Sequence, residues 1–557
     1  MPAASAPAAL SLGASHRRVI LAASLGTGFE WYDFFLYGSL AGVISRQFFA
    51  SVGEATGFIF ALLTFAAGFA VRPFGALVFG RLGDLVGRKK TFLMTIIIMG
   101  AATTLVGALP NYASIGMAAP TSLIVLRMLQ GLAIGGEYGG AAIYVAEHAP
   151  LTQRGRYTSW IQMTANLALL LSLAVILICR AALGADFEVW GWRIPFLLSA
   201  VLLGISVYIR LQLAESPVYQ RMVAEGSRSR APVRDAFGNW PNLKRILATL
   251  FGATAGMNVA WYTGQLYVLF FLTQVIKVEP QRVNVLLGCV LLVSTPLYPV
   301  FGRLSDRVGR KKLILLGMAI AALTYFPIYR AITHFANPAA EEAARRAPIR
   351  VLAQHGECGL QFDPIGKRRF VGSCDIAKEA LARAGVPYTT QFGSQVGVAT
   401  IRFGDGGEPG TVPSFDGTAL SVVQFRQESA AFEQRLGRAL AAAGYPAKAD
   451  PARINSPMVL LLLFILAVYV ALVTAPMAAW LVELFPPPIR YTSMSVPYHI
   501  GAGWFGGFVP AIAFTLVAIT GDIYSGLWYP VIVVGISATV GLCCLPETAG
   551  RPADPTA

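Results

Sequence analysis

The sequence predicts an all-α membrane protein of twelve transmembrane helices in two six-helix bundles, with a small α+β insertion outside the membrane. Three observations support this fold class: the composition is apolar, twelve segments are long enough to span a bilayer, and one basic motif occurs twice. Of the 557 residues, 55% are apolar and 13% charged, with a mean hydropathy of +0.59. Soluble domains carry about 25% charged residues, so this composition indicates a multi-pass membrane protein.

The predicted spans follow from the length of helix that crosses the hydrocarbon core, about 20 residues. They are 19–45, 55–80, 91–109, 120–147, 157–183, 191–212, 246–275, 283–303, 312–335, 457–485, 491–520 and 524–546. We predict a tail at 1–18, an N-terminal bundle at 19–213, a linker at 214–245, a C-terminal bundle at 246–335 and 457–546, and a tail at 547–557. The Pro-containing, Arg-rich linker is expected to be a flexible hinge.

The basic motif at residues 79–90 recurs at 301–312, with only two positions changed. Each copy has the pattern Gly-x-x-x-Asp-x-x-Gly-Arg-Lys-Lys and lies between two apolar runs. One copy alone would also fit a plain basic loop that sets topology. Two copies at equivalent positions indicate an internal duplication.

Lysine and arginine are concentrated in the loops on the same side as the doubled motif. The positive-inside rule therefore predicts that this side and both termini are cytoplasmic. The net charge of +15 is explained by these loops beside apolar runs, so we expect contact with anionic lipid and no binding of nucleic acid.

A second repeat, Arg-Tyr-Thr-Ser, begins at Arg156 and at Arg490. The distance from the motif aspartate to this arginine is 72 residues in the first half and 184 in the second, which indicates an insertion of 112 residues. We place it at 336–456 on the periplasmic side. Strand-like runs at 349–352, 398–403 and 421–425 and helical runs at 375–384 and 427–443 predict an α+β unit. Cys358 and Cys374 are a candidate disulfide in an oxidising compartment, with two free thiols as the alternative.

The first span contains two carboxylates, Glu30 and Asp33, on one helix face with Tyr37. A carboxylate inside a bilayer costs at least about 2.5–3.5 kcal/mol, so it must face a wet cavity, pair with a cation or be protonated. A proton-coupling site has the same requirements, and Asp33 is the preferred proton carrier. The alternative for either carboxylate is a structural pair with an interior arginine.

Two arginines lie inside spans, Arg72 in the second and Arg127 in the fourth. Arg127 and Glu137 share a helix face but are about 15 Å apart along the axis, so they are not expected to pair within this helix. A buried arginine needs a carboxylate, a carbonyl or an anionic substrate. Each could bind a substrate carboxylate or sense the proton carrier, and a salt bridge to Glu30 or Asp33 is the structural alternative.

The doubled motif resembles the signature of the major facilitator superfamily. Within it, residues 28–38, 72–75, 483–486 and 490–492 resemble the metabolite:proton symporter family. The resemblance covers both halves and excludes the insertion and the tails. It implies two bundles around a central cavity, alternating access and a bacterial inner-membrane location. The solutes that it implies are organic acids or zwitterions such as 2-oxoglutarate, citrate, shikimate, aromatic carboxylates, proline or betaine.

The same resemblance assigns candidate roles. An intramembrane arginine followed by Gln-Gly is associated with proton coupling, which adds Arg127 to Asp33 and Glu30 as proton-coupling candidates, together with Glu137 on the same helix face as Arg127. The substrate-binding candidates are Arg72, Arg127, Tyr37, Gln162, Asn166, Asn258, Tyr262, Gln265 and His499. The candidates for a cytoplasmic gate are Asp84, Arg88, Glu147, Arg156, Asp306, Arg310, Glu483 and Arg490. His499 stands where the family more usually has Asn; it could titrate or contact an acidic substrate, or be a neutral hydrogen-bonded histidine.

We therefore expect a proton-coupled symporter of a small organic acid or zwitterion, acting as a monomer in the lipid bilayer. A proton-independent facilitator or efflux carrier of the same fold is the nearest rival, and a receptor that senses ligands through the outer unit is an alternative of another class. The sequence has no phosphate-binding loop and no His/Cys metal spacing, so we expect no enzyme activity, cofactor or metal.

Overall fold

The computed structural model describes residues 27–29, 31–33, 35–49, 54–212, 214–359, 370–393, 397–404 and 410–550. Within these ranges, nine helical stretches are long and apolar enough to cross a membrane. They are Arg88–Ala108, Ala118–His148, Leu151–Leu183, Arg193–Leu211, Pro280–Val308, Arg310–Ala336, Ser456–Leu484, Pro487–Thr520 and Ser525–Cys544. Each overlaps one of the predicted spans, and the ends differ by a few residues.

The described helices and strands are as follows, in chain order: α1 (Ala41–Phe48), α2 (Glu54–Leu85), α3 (Arg88–Ala108), α4 (Tyr112–Ile115), α5 (Ala118–His148), α6 (Arg154–Leu183), α7 (Arg193–Leu211), α8 (Pro217–Ala224), α9 (Pro232–Phe237), α10 (Trp240–Thr249), α11 (Ala255–Tyr262), α12 (Val268–Phe270), α13 (Pro280–Ser294), α14 (Leu297–Val308), α15 (Arg310–Ala336), α16 (Pro338–Arg346), β1 (Ile349–Gln354), α17 (Ser373–Ala384), β2 (Tyr388–Gly393), β3 (Thr400–Phe403), β4 (Thr411–Pro413), α18 (Val422–Ala442), α19 (Ser456–Thr474), α20 (Met477–Leu484), α21 (Arg490–Ile500), α22 (Val509–Thr520) and α23 (Trp528–Cys544).

Glycines determine how closely the helices approach each other. In the N-terminal half α5 packs against α2 and α3. A methyl group on Gly131 would lie 2.1 Å from the carbonyl oxygen of Gly68, and one on Gly135 would lie 2.3 Å from that of Arg72. Backbone atoms cannot move aside as a flexible side chain can, so α2 and α5 reach this separation only with glycine at these positions.

The two halves meet along two helix pairs, α2 with α21 and α6 with α14. The first glycine of each motif copy lies at one of these crossings. A methyl group on Gly80 would be 2.9 Å from the Cα of Thr492, and one on Gly302 would be 2.5 Å from the carbonyl oxygen of Gly155. The doubled motif therefore serves close packing between the halves as well as the turn.

Several helices are interrupted by π-helical segments. Each of four helices is followed directly by one such segment. They are Leu250–Thr254 after α10, Thr263–Tyr267 after α11, Phe271–Val275 after α12 and Gly501–Gly506 after α21. Such segments place one extra residue in a turn and are often found at functional sites.

The linker is more ordered than the predicted flexible hinge, because it contains α8 and α9. The side chain of Ser216 caps the N-terminus of α8 by accepting a hydrogen bond from the backbone N–H of Tyr219. Tyr219 is buried, and its hydroxyl donates to the carbonyl of Leu85 at 2.9 Å. These contacts hold this part of the linker against the first basic turn.

Residues between α15 and α19 form a unit with a four-stranded sheet of order β2-β1-β3-β4. β1 pairs with β2 in parallel and with β3 antiparallel, and β3 pairs with β4 antiparallel. The side chains of β1 alternate between buried and half-buried, as in a sheet with one packed face. Cys358 and Cys374 are joined by a disulfide, with their Cα atoms 5.2 Å apart.

The strand predicted at 421–425 is wrong, because α18 begins there. Ser421 and Gln424 form a capping box, in which each side chain bonds to the backbone of the other. This helix start outweighs the β-propensity of Val422 and Val423.

The unit is attached to the C-terminal half. The backbone N–H of Tyr388 donates to the carbonyl of Gly521 at 2.9 Å, and Lys378 Nζ donates to that of Ile519 at 3.0 Å. In the opposite direction, Lys277 Nζ donates to the carbonyl of Arg383 at 2.6 Å, near the end of α17. Burial lowers the pKa of Lys378, although nearby Asp375 opposes this shift.

Candidate functional site

Asp33 and Arg127 form a buried ion pair in the N-terminal half. Arg127 Nη1 lies 3.3 Å from Asp33 Oδ2, and the two side chains are 5% and 2% exposed. The same guanidinium donates to Gln130 Oε1 at 2.7 Å and lies 4.2 Å from the centre of the Tyr37 ring. Three predicted residues, Asp33, Arg127 and Tyr37, therefore lie together beside Gln130, while Glu30 is outside the described residues.

Glu137, the fourth proton-coupling candidate, has a different partner. Arg210 Nη2 lies 2.6 Å from Glu137 Oε1, and the hydroxyl of Thr95 donates to Oε2 at 2.7 Å. Arg210 also donates to the carbonyl of Phe92 at 2.9 Å. This fully paired carboxylate is not brought together with Asp33. Sequence reasoning missed Arg210, although an arginine inside the sixth predicted span was a usable signal.

A second group lies where the halves meet and combines four predicted residues with two tyrosines that were not predicted. We call it the central cluster and define it as Arg72, Asn258, Tyr262 and His499 with Tyr138 and Tyr498. Arg72 is 6% exposed, lies 4.1 Å from the ring centre of Phe69 and acts electrostatically on both Tyr262 and His499. His499 is 1% exposed, and neither ring nitrogen has a hydrogen-bond partner within the described ranges. The cluster thus combines a cation, an imidazole and hydroxyl and amide groups.

Two pairs of aromatic rings connect the halves, one of them within the central cluster. Tyr138 and Tyr498 stack with centroids 3.7 Å apart and planes 7° apart, and Trp31 lies 5.4 Å from Trp261. Gln162 Nε2 donates to the Tyr138 hydroxyl at 3.4 Å, so this candidate borders the cluster.

Two other substrate-binding candidates, Asn166 and Gln265, lie outside the central cluster. Asn166 is buried next to Tyr298 of α14, at the contact between the halves. Gln265 is half-buried in the π segment Thr263–Tyr267.

The first gate group joins the first basic turn to α21. Asp84 Oδ1 lies 2.7 Å from Arg88 Nη1 and accepts from the backbone N–H of Tyr491 at 3.2 Å. Asp84 Oδ2 accepts from the backbone N–H and the hydroxyl of Thr492 at 3.0 and 2.8 Å. Arg88 Nη2 also donates to the carbonyl of Pro487 at 2.8 Å. A carboxylate of one half thus caps a helix N-terminus of the other, where the helix dipole favours negative charge.

The second gate group repeats this arrangement with the halves exchanged. Asp306 accepts from the backbone N–H groups of Gly155 and Arg156, both at 2.8 Å, and from Arg310 Nη1 at 2.8 Å. Arg310 also binds Glu483 through Nε and Nη2, at 2.7 and 3.0 Å. Bidentate pairs of this kind are among the stronger charge-assisted hydrogen bonds.

The prediction that Arg156 corresponds to Arg490 is wrong. Arg490 Nη1 binds Glu147 at 2.8 Å, and in the other half Arg154 is the buried arginine, 3.6 Å from Glu483. The Arg156 side chain is exposed, and only its backbone N–H takes part. The signal was present: Arg154 follows Glu147 by seven residues, as Arg490 follows Glu483. This equivalence gives the second half 114 extra residues rather than 112.

Two further carboxylates, which sequence reasoning also missed, cap the helices that follow the basic turns. Glu215 Oε1 accepts from the backbone N–H groups of Arg88 and Lys89, both at 3.1 Å. Glu547 Oε1 accepts from that of Arg310 at 2.9 Å. The face with the basic turns is therefore closed by two equivalent sets of contacts.

Comparison with known proteins gives relatives in one class. A family described as "Sugar (and other) transporter" matches residues 19–254. The shikimate transporter of Escherichia coli (strain K12) is 36% identical over 324 residues, covering 57% of this chain and 72% of that protein. The proline/betaine transporter of the same strain is 34% identical over 323 residues, covering 56% of this chain and 64% of that protein. The matches to four proline/betaine transporters span 63–65% of their lengths, just under two-thirds.

Among solved structures, the major facilitator superfamily proton:xylose symporter XylE bound to 6-bromo-6-deoxy-D-glucose has a TM-score of 0.59. It is 14% identical, and the match covers 97% of this chain and 98% of that one, so it shows the fold. The fold and the relatives define the class: the chain belongs to the major facilitator superfamily, as the doubled motif predicted. The family model covers less than half of this chain, and the relatives found here are transporters and not enzymes.

Proposed function

We propose that the protein is a proton-coupled symporter of a small organic acid or zwitterion in the inner membrane of a bacterium. The observation that carries the coupling is the buried ion pair between Asp33 and Arg127. Protonation of Asp33 removes its charge and weakens the pair, so the position of Arg127 depends on whether a proton is bound.

The substrate is proposed to bind at the central cluster. Arg72 supplies the cation that a substrate carboxylate needs, and the polar groups of Asn258 and Tyr262 orient the rest of the molecule. The rings of Trp31 and Trp261 offer faces that would attract a cationic ammonium group, which favours a zwitterion. The names of the proline/betaine and shikimate relatives support the same solute classes.

Coupling between the two sites is proposed to pass through the contact of α2 with α5. Arg127 is on α5 and Arg72 on α2, and Gly135 of α5 lies directly against the backbone carbonyl of Arg72. A shift of one helix therefore moves the other. The two gate groups hold the face with the basic turns closed, and their release would open it in the second half of the cycle.

The proposal includes twelve spans, both termini in the cytoplasm and the α+β unit in the periplasm. Beyond the nine stretches above, support comes from α2, which is 32 residues long, and from the nearly continuous α and π segments between Trp240 and Val275. Residues 27–29, 31–33 and 35–39 are helical as well.

Uptake by purified protein in proteoliposomes tests this function. Shikimate, proline and betaine would be offered separately with an inward proton gradient, with and without a protonophore. We expect accumulation of one of them that the protonophore abolishes, and loss of accumulation in Asp33→Asn. Glu428→Gln, an exposed carboxylate on α18, is the control. Uptake that ignores the protonophore would instead identify a proton-independent facilitator.

A further inference from the structure

We propose that Asp33 exchanges its proton through a crevice between the helical residues 27–29 and 31–33, α3 and α7, on a route separate from the substrate path. The inference rests on the proposed proton coupling. It adds the place at which the proton enters.

This crevice is a narrow cavity in the N-terminal half, and Asp33 forms part of its wall. The other walls come from α3, which contributes Gly100 and Thr103, and from α7, which contributes Ser199 and Leu203. The ten lining residues include none of the central cluster. Asp33 therefore borders a space that the substrate candidates do not line.

Two polar atoms in this wall are buried without a partner. Asp33 Oδ1 and Ser199 Oγ have no hydrogen-bond partner among the described residues, and the two residues are 2% and 7% exposed. The hydroxyl of Thr103 accepts from Gln130 Nε2 at 2.8 Å and donates to the carbonyl of Met99 at 2.9 Å. Buried polar atoms that face a cavity are normally satisfied by water, which is also the carrier that a proton requires.

The two oxygens of Asp33 differ in their surroundings. Oδ2 faces Arg127, while Oδ1 has no partner in the described part of the chain. A hydronium ion can give its proton to Oδ1, where one O–H bond forms and one water is released. The neutral carboxyl group then attracts Arg127 less strongly, and loss of the proton to water reverses the step.

Asp33 has a charged neighbour, Arg127, on its α5 side and none in the wall of the crevice. Among the residues that line the cavity, Asp33 alone carries a formal charge, and Tyr32, whose hydroxyl donates to the carbonyl of Pro195 at 3.1 Å, is its titratable neighbour. From α5 the facing charge is Arg127, and α3 and α7 present Thr103 and Ser199. A proton that approaches through the crevice therefore meets no cation before it reaches Asp33.

The crevice lies about midway along α3 and α7, and Thr103 and Ser199 are its lining residues nearest the face opposite the basic turns. Thr103 is five residues from the end of α3 at Ala108, and Ser199 is six residues from the start of α7 at Arg193. At about 1.5 Å per residue, both are within about 10 Å of those helix ends. The gate groups close the other face, so the proton site is placed to load from outside while the basic-turn face is shut.

The test separates movement of protons from movement of substrate. Ser199→Leu should fill the crevice, and Val201→Leu, at a position 58% exposed on the same helix, is the matched control. In proteoliposomes we expect Ser199→Leu to lower gradient-driven uptake by about tenfold or more, the scale of losing a positioned proton-transfer group. Substrate counterflow, which needs no net proton movement, should stay within about twofold of wild type, as should both activities of Val201→Leu.

Carbodiimide labelling of Asp33, read by mass spectrometry, is the second measurement and does not require transport. We expect labelling of the wild-type protein in the presence of saturating substrate, reduced labelling in Ser199→Leu, and wild-type labelling in Ser199→Ala, which keeps the crevice open. Proton-driven uptake that is unchanged in Ser199→Leu, or labelling that substrate fully blocks, would overturn the inference. Wild-type uptake that ignores the proton gradient would instead overturn the proposed function.

Discussion

Three buried carboxylates of this protein each have an arginine within 3.3 Å. Asp33 faces Arg127, Glu137 faces Arg210, and Glu147 faces Arg490, all with little exposed surface. Removing one member of such a pair leaves a charge in a medium that solvates it poorly, whereas removing both leaves none. A single substitution at one pair should therefore destabilise the protein more than the double substitution does.

The pair of Asp33 with Arg127 gives the first prediction. Asp33→Asn leaves the guanidinium without its counter-charge and should lower the free energy of unfolding by about 3–5 kcal/mol. The double variant Asp33→Asn with Arg127→Met should recover much of this loss in thermal unfolding in detergent, while proton-driven uptake stays absent. A double variant that is less stable than the single one would refute the argument.

Arg154 and Arg156 give the second prediction, because they differ in burial but not in chemistry. Arg154→Ala removes a guanidinium whose Nε donates to the carbonyl of Ala146 at 3.0 Å and which lies beside Glu483. We expect a loss of about 1–3 kcal/mol in stability and a slower uptake cycle. Arg156→Ala, at an exposed side chain, should stay within about 0.5 kcal/mol of wild type. Equal effects of the two substitutions would contradict the structural equivalence of Arg154 with Arg490.

At the scale of single elements, the contact of α2 with α5 depends on glycine more than on side-chain interlocking. The backbone of Gly68 lies against Gly131, and that of Arg72 against Gly135. The proposed route from proton to substrate crosses this same contact. Its spacing should therefore affect coupling as well as stability.

Gly135→Ala tests this contact and gives the third prediction. The new methyl group would lie 2.3 Å from a backbone oxygen, so the helices must separate, at a cost of about 1–3 kcal/mol. Uptake should fall while the protein remains folded. Gly204→Ala is the control, because nothing lies within 4 Å of the added atom, and it should be neutral or slightly stabilising. Thermal unfolding and uptake of Gly135→Ala and Gly204→Ala, measured side by side, test this prediction, and equal values for the two variants would contradict it.

Sequence patterns predicted the charged turns better than the details of the helices around them. The pairs Asp84–Arg88 and Asp306–Arg310 follow from the doubled motif, because residues four apart meet on a helix. The π segments could not be predicted, since one extra residue leaves no trace in a helix that is apolar on most faces. Arg154 was missed because the repeat was matched by residue identity, whereas its equivalence rests on the distance from a glutamate.

At the scale of the whole molecule, the halves are joined at two equivalent gate groups, while the α+β unit is attached to the C-terminal half. The backbones approach closely at Gly385 and Gly521, where this attachment is made. A methyl group added to either glycine would lie within 2.2 Å of a backbone oxygen on the other side of the contact. The unit should therefore travel with the C-terminal half when the halves rotate. Sequence predicted a folded unit, but its docking depends on backbone contacts that side-chain patterns do not reveal.

Gly521→Ala gives the fourth prediction. Both Gly521 and Gly404 have positive φ, 78° and 60°, so an alanine is strained by about 1–2 kcal/mol at either position. At Gly521 the methyl group would also lie 2.0 Å from the carbonyl oxygen of Tyr388, whereas at Gly404 nothing lies within 4 Å. Gly521→Ala should therefore be the less stable variant and should increase hydrogen exchange in β2 and at the end of α22. Equal exchange in the two variants would show that the unit is not held there.

The π segments have a consequence for how this chain tolerates changes in length. Each one holds a residue that an α-helix of the same reach would not need, so removing one residue there can restore ordinary helical geometry instead of breaking it. A deletion within Leu250–Thr254 would therefore keep α10 nearly in phase with Asn258 and Tyr262, whereas a deletion within the ordinary helix α15 would turn its two ends relative to each other by about 100°, the angle of one helical residue. The first deletion should spare both the fold and the central cluster, whereas the second should disturb helix packing, and yield and uptake of the two variants distinguish these outcomes.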